Sequence, residues 1–205
     1  MTPASGGFIA IEGPSGVGKS TLVGLLTEEL RQRGLRVVST KEPTDSNLGK
    51  MARNGTREFS ELTLACLVVA DRYHHLEQTI RPAISDGAII VCDRYVPSTL
   101  VLQQMDGIDP GFLWALNQYA DPPDLTIVLS GNPELSKRRA LQRGIYSRFH
   151  AGDAEAEHAL YQQVSQELEQ ANWNILQRTV AEESAAEVLA DLLPQILDHL
   201  PERLT

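Results

Sequence analysis

The amino-acid sequence predicts an α/β fold: a three-layer sandwich with a parallel, about five-stranded sheet between helices. Three observations predict it. Short apolar runs of β type recur along the chain. Segments of helical periodicity separate them. A glycine-rich turn, GPSGVGKS at 13–20, joins the first such run to the first helix. Strands that alternate with helices pair in parallel and are wrapped on both faces.

The elements follow in order. Phe8-Ile9-Ala10-Ile11-Glu12 is a β-type run that stops at Gly13. Residues 20–33 have helical periodicity, with Leu22, Leu25, Leu26 and Leu30 on one face. Gly34 suits the helix C-terminus. LRVVST, 35–40, is a second strand. Residues 60–84 read as one long helix, interrupted or kinked near Pro82. Ala88-Ile89-Ile90-Val91-Cys92 is continuously apolar, as expected of a strand covered on both faces. Leu125-Thr126-Ile127-Val128-Leu129, entered through Pro122-Pro123, is the fourth strand, and residues 174–180 read as a fifth. Residues 185–199 close the chain with Val188, Leu189, Leu192, Leu193 and Ile196 as an apolar face. The stretch 144–157 is polar and poorly periodic, which predicts a mobile loop.

No repeat and no linker rich in Gly, Pro or Ser divides the 205 residues, so a single domain over 1–205 is expected. Hydrophobic residues at 42% exclude a disordered chain. Lys and Arg number 18 against 27 Asp and Glu, a formal charge of −9. That balance argues against nucleic acid or an anionic membrane as partner, and leaves room for a small basic pocket. Cys66 lies in an apolar helical run and Cys92 at a strand end, the usage of buried free thiols in a reducing compartment. The start has no basic segment followed by a long apolar one, and the longest apolar run is too short to span a bilayer. A cytoplasmic protein is expected.

Gly13-Pro14-Ser15-Gly16-Val17-Gly18-Lys19-Ser20 fits GxxxxGK[ST] without a mismatch, after a strand and before a helix. Glycines let the backbone curl so that successive N–H groups face phosphate oxygens, and the helix N-terminus adds partial positive charge. Lys19 is a mobile cation for the β- and γ-phosphates, and Ser20 can hold Mg²⁺. Gly13, Ser15, Gly16, Val17, Gly18, Lys19, Ser20 and Thr21 are thus the expected nucleoside triphosphate site.

Asp93 and Arg94 directly follow a buried strand, at the end where open α/β sheets bind ligands. Asp93 is expected to partner Mg²⁺ or its waters, and Arg94 to clamp a phosphate. In Lys41-Glu42-Pro43, Glu42 could orient an arginine and Pro43 could shape the acceptor wall. On residue types alone, this segment reads as an ordinary strand-to-loop turn. Arg72 alone reads as a solvated helix residue. Lys137 and Arg138 read as a solvated helix face, whereas Arg143 and Arg148 flank a Gly-containing loop that could close over transferring phosphates. His74 and His75 would point two ways on a helix, so they are not a chelate.

The ordered set IEGPSGVGKST, KEP, ADRYHH, DRYVPSTLVLQ, PDLTIVLSGNPE and RGIYSRF resembles the thymidylate kinase family of nucleoside monophosphate kinases, from about residue 8 to about residue 173. The resemblance implies a P-loop kinase fold, ATP with Mg²⁺ as donor, a nucleotide 5′-phosphate as acceptor, and a homodimer. By the family pattern Arg94 grips the acceptor phosphate and Arg53 lies near the same phosphate. Arg72 faces the acceptor base, with Thr99 and Gln103 beside it. Arg143 and Arg148 fall in the lid, approximately 144–157. Several positions depart from the pattern. The family has Asp or Glu near the acceptor sugar where this chain has Ser15. A Phe stacked on thymine is replaced by Val68, and a sugar-shielding Tyr by Leu102. GGT after the second strand becomes Thr44-Asp45-Ser46, and a further lid-side Tyr falls near Leu168.

The expectation is an ATP-dependent phosphotransferase acting on a nucleoside monophosphate, with dTMP first by family. Lys19, Arg94, Asp93 and a lid arginine carry the reaction. The altered positions keep open a kinase of a different or modified nucleotide, or of another phosphorylated small molecule. A non-catalytic nucleotide-binding protein is the further alternative. Aromatic residues are only 5% of the chain; Tyr73, Tyr95, Tyr146 and Phe149 remain near the motifs, and one could take over stacking. Lys19, Arg53, Arg72, Arg94, Arg143 and Arg148 are expected to converge on one crevice.

Overall fold

The computed structural model describes residues 6–55, 58–59, 61–142 and 154–201. Five strands, β1 (Gly7–Glu12), β2 (Val37–Lys41), β3 (Ile89–Asp93), β4 (Leu125–Gly131) and β5 (Ile175–Val180), form one sheet in the order β2-β3-β1-β4-β5, every pair parallel. The helices are α1 (Lys19–Gln32), α2 (Asn47–Asn54), α3 (Glu61–His75), α4 (Arg81–Ser85), α5 (Val96–Met105), α6 (Pro110–Asn117), α7 (Pro133–Gln142), α8 (Ala154–Gln170) and α9 (Ala185–Asp198).

Period-two alternation sorts the strand side chains into two cores. Ile9, Ile11, Ile89, Val91, Ile127 and Leu129 pack under α1 and α9, against Leu22, Leu26, Leu30, Val188, Leu192 and Ile196. Phe8, Ala10, Ile90, Cys92 and Val128 face the other way, onto Ala65, Leu100, Val101, Val164 and Leu168. These are the two apolar interfaces of the three-layer fold.

Several expectations need correction. Leu25 is exposed, and Val23 is buried in its place on α1. Cys66 lies on the exposed side of α3 and is not a buried thiol; Cys92 is buried as expected. The long helix is interrupted near Pro82, as expected. It runs from α3 through one π-helical turn, Leu76–Ile80, into α4. A proline lacks the N–H for the preceding turn and crowds its carbonyl, and the wider turn accommodates both. The chain leaves α1 at Gly34, φ 83°, where Gly34 N and Leu35 N bond back to Arg31 O and Leu30 O at 2.9 and 3.1 Å. Of the expected lid, residues 154–157 form the first turn of α8; 144–153, with Arg148, and Arg143 beside them lie outside the described residues.

Candidate active site

The carboxyl ends of β1, β3 and β4 open on one crevice, and the glycine-rich loop spans it. Gly13 and Gly16 have φ of 132° and 82°. A Cβ on them would lie 2.2 Å from Leu129 O and 2.0 Å from Ser136 O, so no other residue fits against β4 and α7. Val17 anchors the loop by burying its side chain in the core beneath α1. Gly18 precedes the first turn of α1, where Lys19 and Ser20 present backbone N–H groups as helix termini do, while Thr21 N donates to Gly18 O at 3.1 Å.

Lys19 is buried and its Nζ donates to Gly13 O and Pro14 O, each at 2.8 Å. Burial, and next the charge of Arg94, pull its pKa down to about 7. Ser20 Oγ donates to Asp93 Oδ2 at 2.5 Å. A hydroxyl and a carboxylate in contact are the hard oxygen donors that Mg²⁺ takes alongside substrate phosphates, so these two residues fit that ion. The described residues hold no group of three His, Cys, Asp or Glu that would make an all-protein metal cage.

Arg94 turns β3 into the crevice with φ 75°, a conformation that non-glycine residues adopt only where the surroundings impose it. Its N–H is held by Ile11 O at 3.0 Å. Its guanidinium donates to Ser98 Oγ (2.9 Å), Tyr161 Oη (3.1 Å) and Ser15 Oγ (3.3 Å). Beneath it sits Glu12, fully buried at the end of β1. Glu12 accepts from Tyr95 N (2.5 Å), Ser98 N (3.3 Å) and Ser98 Oγ (2.6 Å), and so caps the N-terminus of α5. Burial raises the Glu12 pKa against the pull of Arg94. From α8, Glu157 accepts from Ser15 N at 3.2 Å. A carboxylate therefore stands beside position 15 although the loop residue itself carries none.

A second cluster lies behind β2. Arg72 is 1% exposed, not the solvated helix residue expected from its isolated position. Its Nε donates to Glu42 Oε2 at 2.8 Å and Nη2 to Thr99 Oγ1 at 2.9 Å; Nη1 donates to Asn117 Oδ1. The Tyr95 ring lies 5.0 Å below the guanidinium carbon. Glu42 Oε1 meets His75 Nδ1 at 3.0 Å, and His75 Nε2 meets Thr40 Oγ1 at 2.8 Å. Lys41-Glu42-Pro43 is thus no ordinary turn: Glu42 is buried and paired with Arg72. His75 points inward and His74 outward, as expected. Val68 stands one helical turn before Arg72 and is half-buried, as is Leu102. Gln103 is buried one turn beyond Thr99.

Arg53 lies at the rim. It donates to Pro43 O, to Thr44 O at 2.8 Å and to Asp45 Oδ1 at 2.9 Å. The convergence is therefore narrower than expected among the described residues. Lys19 and Arg94 share the crevice, Arg72 is sunk in its own ion pair, and Arg53 stands outside with Asp45. Tyr95 is fully buried against Phe8 and Trp173, so it cannot take over base stacking. Tyr73 is tied by its hydroxyl to Leu116 O at 2.7 Å, while Tyr146 and Phe149 lie outside the described residues. The lid-side tyrosine in the site is Tyr161; Leu168 is core.

Sequence reasoning missed Glu12, Asn117, Glu157 and Tyr161. Glu12 left a signal, an acid closing an apolar strand; the other three left none. It also missed a cleft of about 800 Å³ between the start of α7 and the chain after β5, lined by residues including Asn132, Leu135, Lys137, Arg138, Val180 and Ala181. Lys137 and Arg138 thus border a cavity and are not merely a solvated face. The cleft adjoins the phosphate loop, since Ser136 on the same segment touches Gly16.

A phosphate loop facing a half-buried arginine across one crevice, on this five-stranded parallel sheet, defines the class: a P-loop nucleotide phosphotransferase. Comparison with known proteins narrows it. The family model described as thymidylate kinase matches residues 11–191. A probable thymidylate kinase of Pyrococcus horikoshii is 40% identical over 152 residues, 70% of this chain and 74% of that protein. A thymidylate kinase of Exiguobacterium sp. is 33% identical over 98% of this chain and 96% of its own. The crystal structure of thymidylate kinase from Ehrlichia chaffeensis shares the fold, with a TM-score of 0.70 at 21% identity, over 94% of this chain and 98% of that one. The chain belongs to the thymidylate kinase family, and so to the nucleoside monophosphate kinases.

Proposed function

We propose that this protein transfers the γ-phosphoryl group of ATP to dTMP. The observation that carries the reading is the contact between Arg94 and Ser15 of the phosphate loop, 3.3 Å, with Lys19 close enough for Arg94 to depress its pKa. Two cations thus stand near each other beside the phosphate loop, the arrangement that suits a phosphoryl group passing between nucleotides. The 800 Å³ cleft beside α7 takes the donor's base, and the N-terminus of α1 its phosphates. Ser20 and Asp93 hold Mg²⁺, which when bound neutralises charge on the donor phosphates. Arg94 grips the acceptor phosphate, fixed for that task by Ser98, Tyr161 and the buried charge of Glu12. The acceptor base points to Arg72, which has five N–H groups and spends three on Glu42, Thr99 and Asn117. Arg143 and Arg148 supply further positive charge to the transferring group. Two free cysteines fit a reducing compartment, the cytoplasm, and no helix among the described residues is long and apolar enough to cross a membrane. Two copies pair as a homodimer, a reading supported by the exposed Leu62 at the start of α3.

One observation favours a second reading, a kinase for a different nucleotide: Val68 and Leu102 stand where aromatic rings are expected, and Tyr95 is buried elsewhere. Acceptor-stimulated ADP release across a panel of nucleoside monophosphates decides between them. dTMP is expected to turn over fastest. Preference for another monophosphate selects the second reading, and no stimulation by any acceptor leaves a non-catalytic nucleotide-binding protein. Val68→Phe is expected to lower the KM for dTMP about fivefold or more, since one base–aromatic stack contributes on the order of 1–3 kcal/mol. An unchanged or higher KM would show that position 68 does not face the base.

A further inference from the structure

Thr44-Asp45-Ser46 forms a turn that is pinned on both sides. Asp71 of α3, fully buried, accepts from Thr44 N and Thr44 Oγ1 at 2.6 Å each and from Ser46 Oγ at 2.8 Å. Ser46 Oγ also caps α2 by accepting from Gly49 N at 3.0 Å. Asp45 between them projects outward. Its Oδ1 accepts from Arg53 Nη1 at 2.9 Å and its Oδ2 meets Lys41 Nζ at 3.2 Å. Arg53 is already aimed by two main-chain carbonyls, Pro43 O and Thr44 O. The carboxylate therefore adds charge at this point more than alignment.

We propose that Asp45 is a specificity-determining residue that competes with the acceptor's phosphate for Arg53, so that an acceptor binds only by displacing an internal carboxylate. The proposal rests on the family resemblance, by which Arg53 lies near the acceptor phosphate, approached here from the rim of the crevice where Arg53 stands with Asp45. Bonding to Arg53 and then to Lys41 lowers the Asp45 pKa, so the competitor is ionised at neutral pH. Both side chains are exposed, 40% for Arg53 and 67% for Asp45, so the contact is screened and weak enough for a phosphate dianion to replace. Such a competitor holds acceptor affinity down and favours a dianionic phosphate over a weaker anion.

The test is an acceptor saturation curve for the full chain, run first on the wild type to establish which monophosphate it phosphorylates. Asp45→Asn is expected to lower the acceptor KM about three- to fivefold at low salt, the worth of an exposed ion pair. Asp45→Glu is expected to stay near wild type. The difference between wild type and Asp45→Asn is expected to shrink at high salt. Arg53→Gln is expected to raise the KM and to abolish the effect of Asp45→Asn in the double variant. An unchanged or raised KM in Asp45→Asn overturns the proposal, as does an effect that persists in the Arg53→Gln background. A wild type that phosphorylates no monophosphate overturns the acceptor reading itself, a result distinct from turnover with an unaltered KM.

Discussion

Lys19→Met is expected to lower kcat at least about 10³-fold while leaving the fold intact. Removing a single donor to a developing anionic charge costs on the order of 10²–10³, and Lys19 supplies a full charge in a crevice shielded from water. Folding does not depend on that charge. The ammonium is desolvated, 6% exposed, and among the described residues it donates to two loop carbonyls, so methionine relieves a burial cost as it removes these two hydrogen bonds. Unfolding free energy is expected to change by about 1 kcal/mol. The wild type also has its own pH signature. With Lys19 drawn down to about 7 by burial and by Arg94, the free protein loses this cation as pH rises through neutrality. A bound triphosphate restores the proton. The KM for ATP is therefore expected to climb between about pH 7 and 9 while kcat at saturating ATP stays level, as one site of depressed pKa requires. A coupled ADP-release assay reads both. Undiminished kcat in Lys19→Met would remove Lys19 from the chemistry, and a flat KM in the wild type would show that it keeps its charge.

The phosphate loop, proposed as the donor site, is legible in the sequence because its residues are local. A loop that must curl around phosphate draws all its residues from one stretch, 13–20, so spacing alone names Lys19 and Ser20. Asp93 and Arg94 were legible for a related reason, being charges at the end of an apolar strand. The Arg72 cluster, proposed to face the acceptor, is assembled across the sheet, and there spacing fails. Arg72 lies between two helical neighbours that give no hint of Glu42, thirty residues earlier, or of Asn117, on another helix. Burial inverted its reading, from solvated side chain to the most enclosed arginine of the site. Position 15 misled in the opposite way. The sequence shows a lost acid, yet Glu157 brings a carboxylate to the same backbone N–H from a distance of 142 residues. Cys66 and Leu25 failed for a simpler reason: an apolar run locates a helix but not the turn-by-turn edge of its buried face.

Arg72→Met is expected to destabilise the fold by about 3–5 kcal/mol, because it strands the carboxylate of Glu42 in the interior without its counter-charge. The two side chains are 1% and 3% exposed, so water cannot take the place of the missing guanidinium. Asn117 Oδ1 and Thr99 Oγ1 lose a donor in the same step, and His75 Nδ1 is the remaining partner of Glu42. The pair is expected to matter far less than either half. Arg72→Met combined with Glu42→Gln removes both charges, and it should recover most of the loss that the single change inflicts. Urea denaturation of the two single variants and the double closes the cycle. A cost below about 1 kcal/mol for Arg72→Met would mean that the carboxylate reaches solvent and that the cluster is not sealed. The double variant also separates structure from recognition. It is expected to fold, and under the proposal that Arg72 faces the acceptor base the acceptor KM rises while the KM for ATP is retained. Arg72 would then be buried not to stabilise the protein, which an apolar residue does as well, but to present a fixed donor that no solvated arginine can offer.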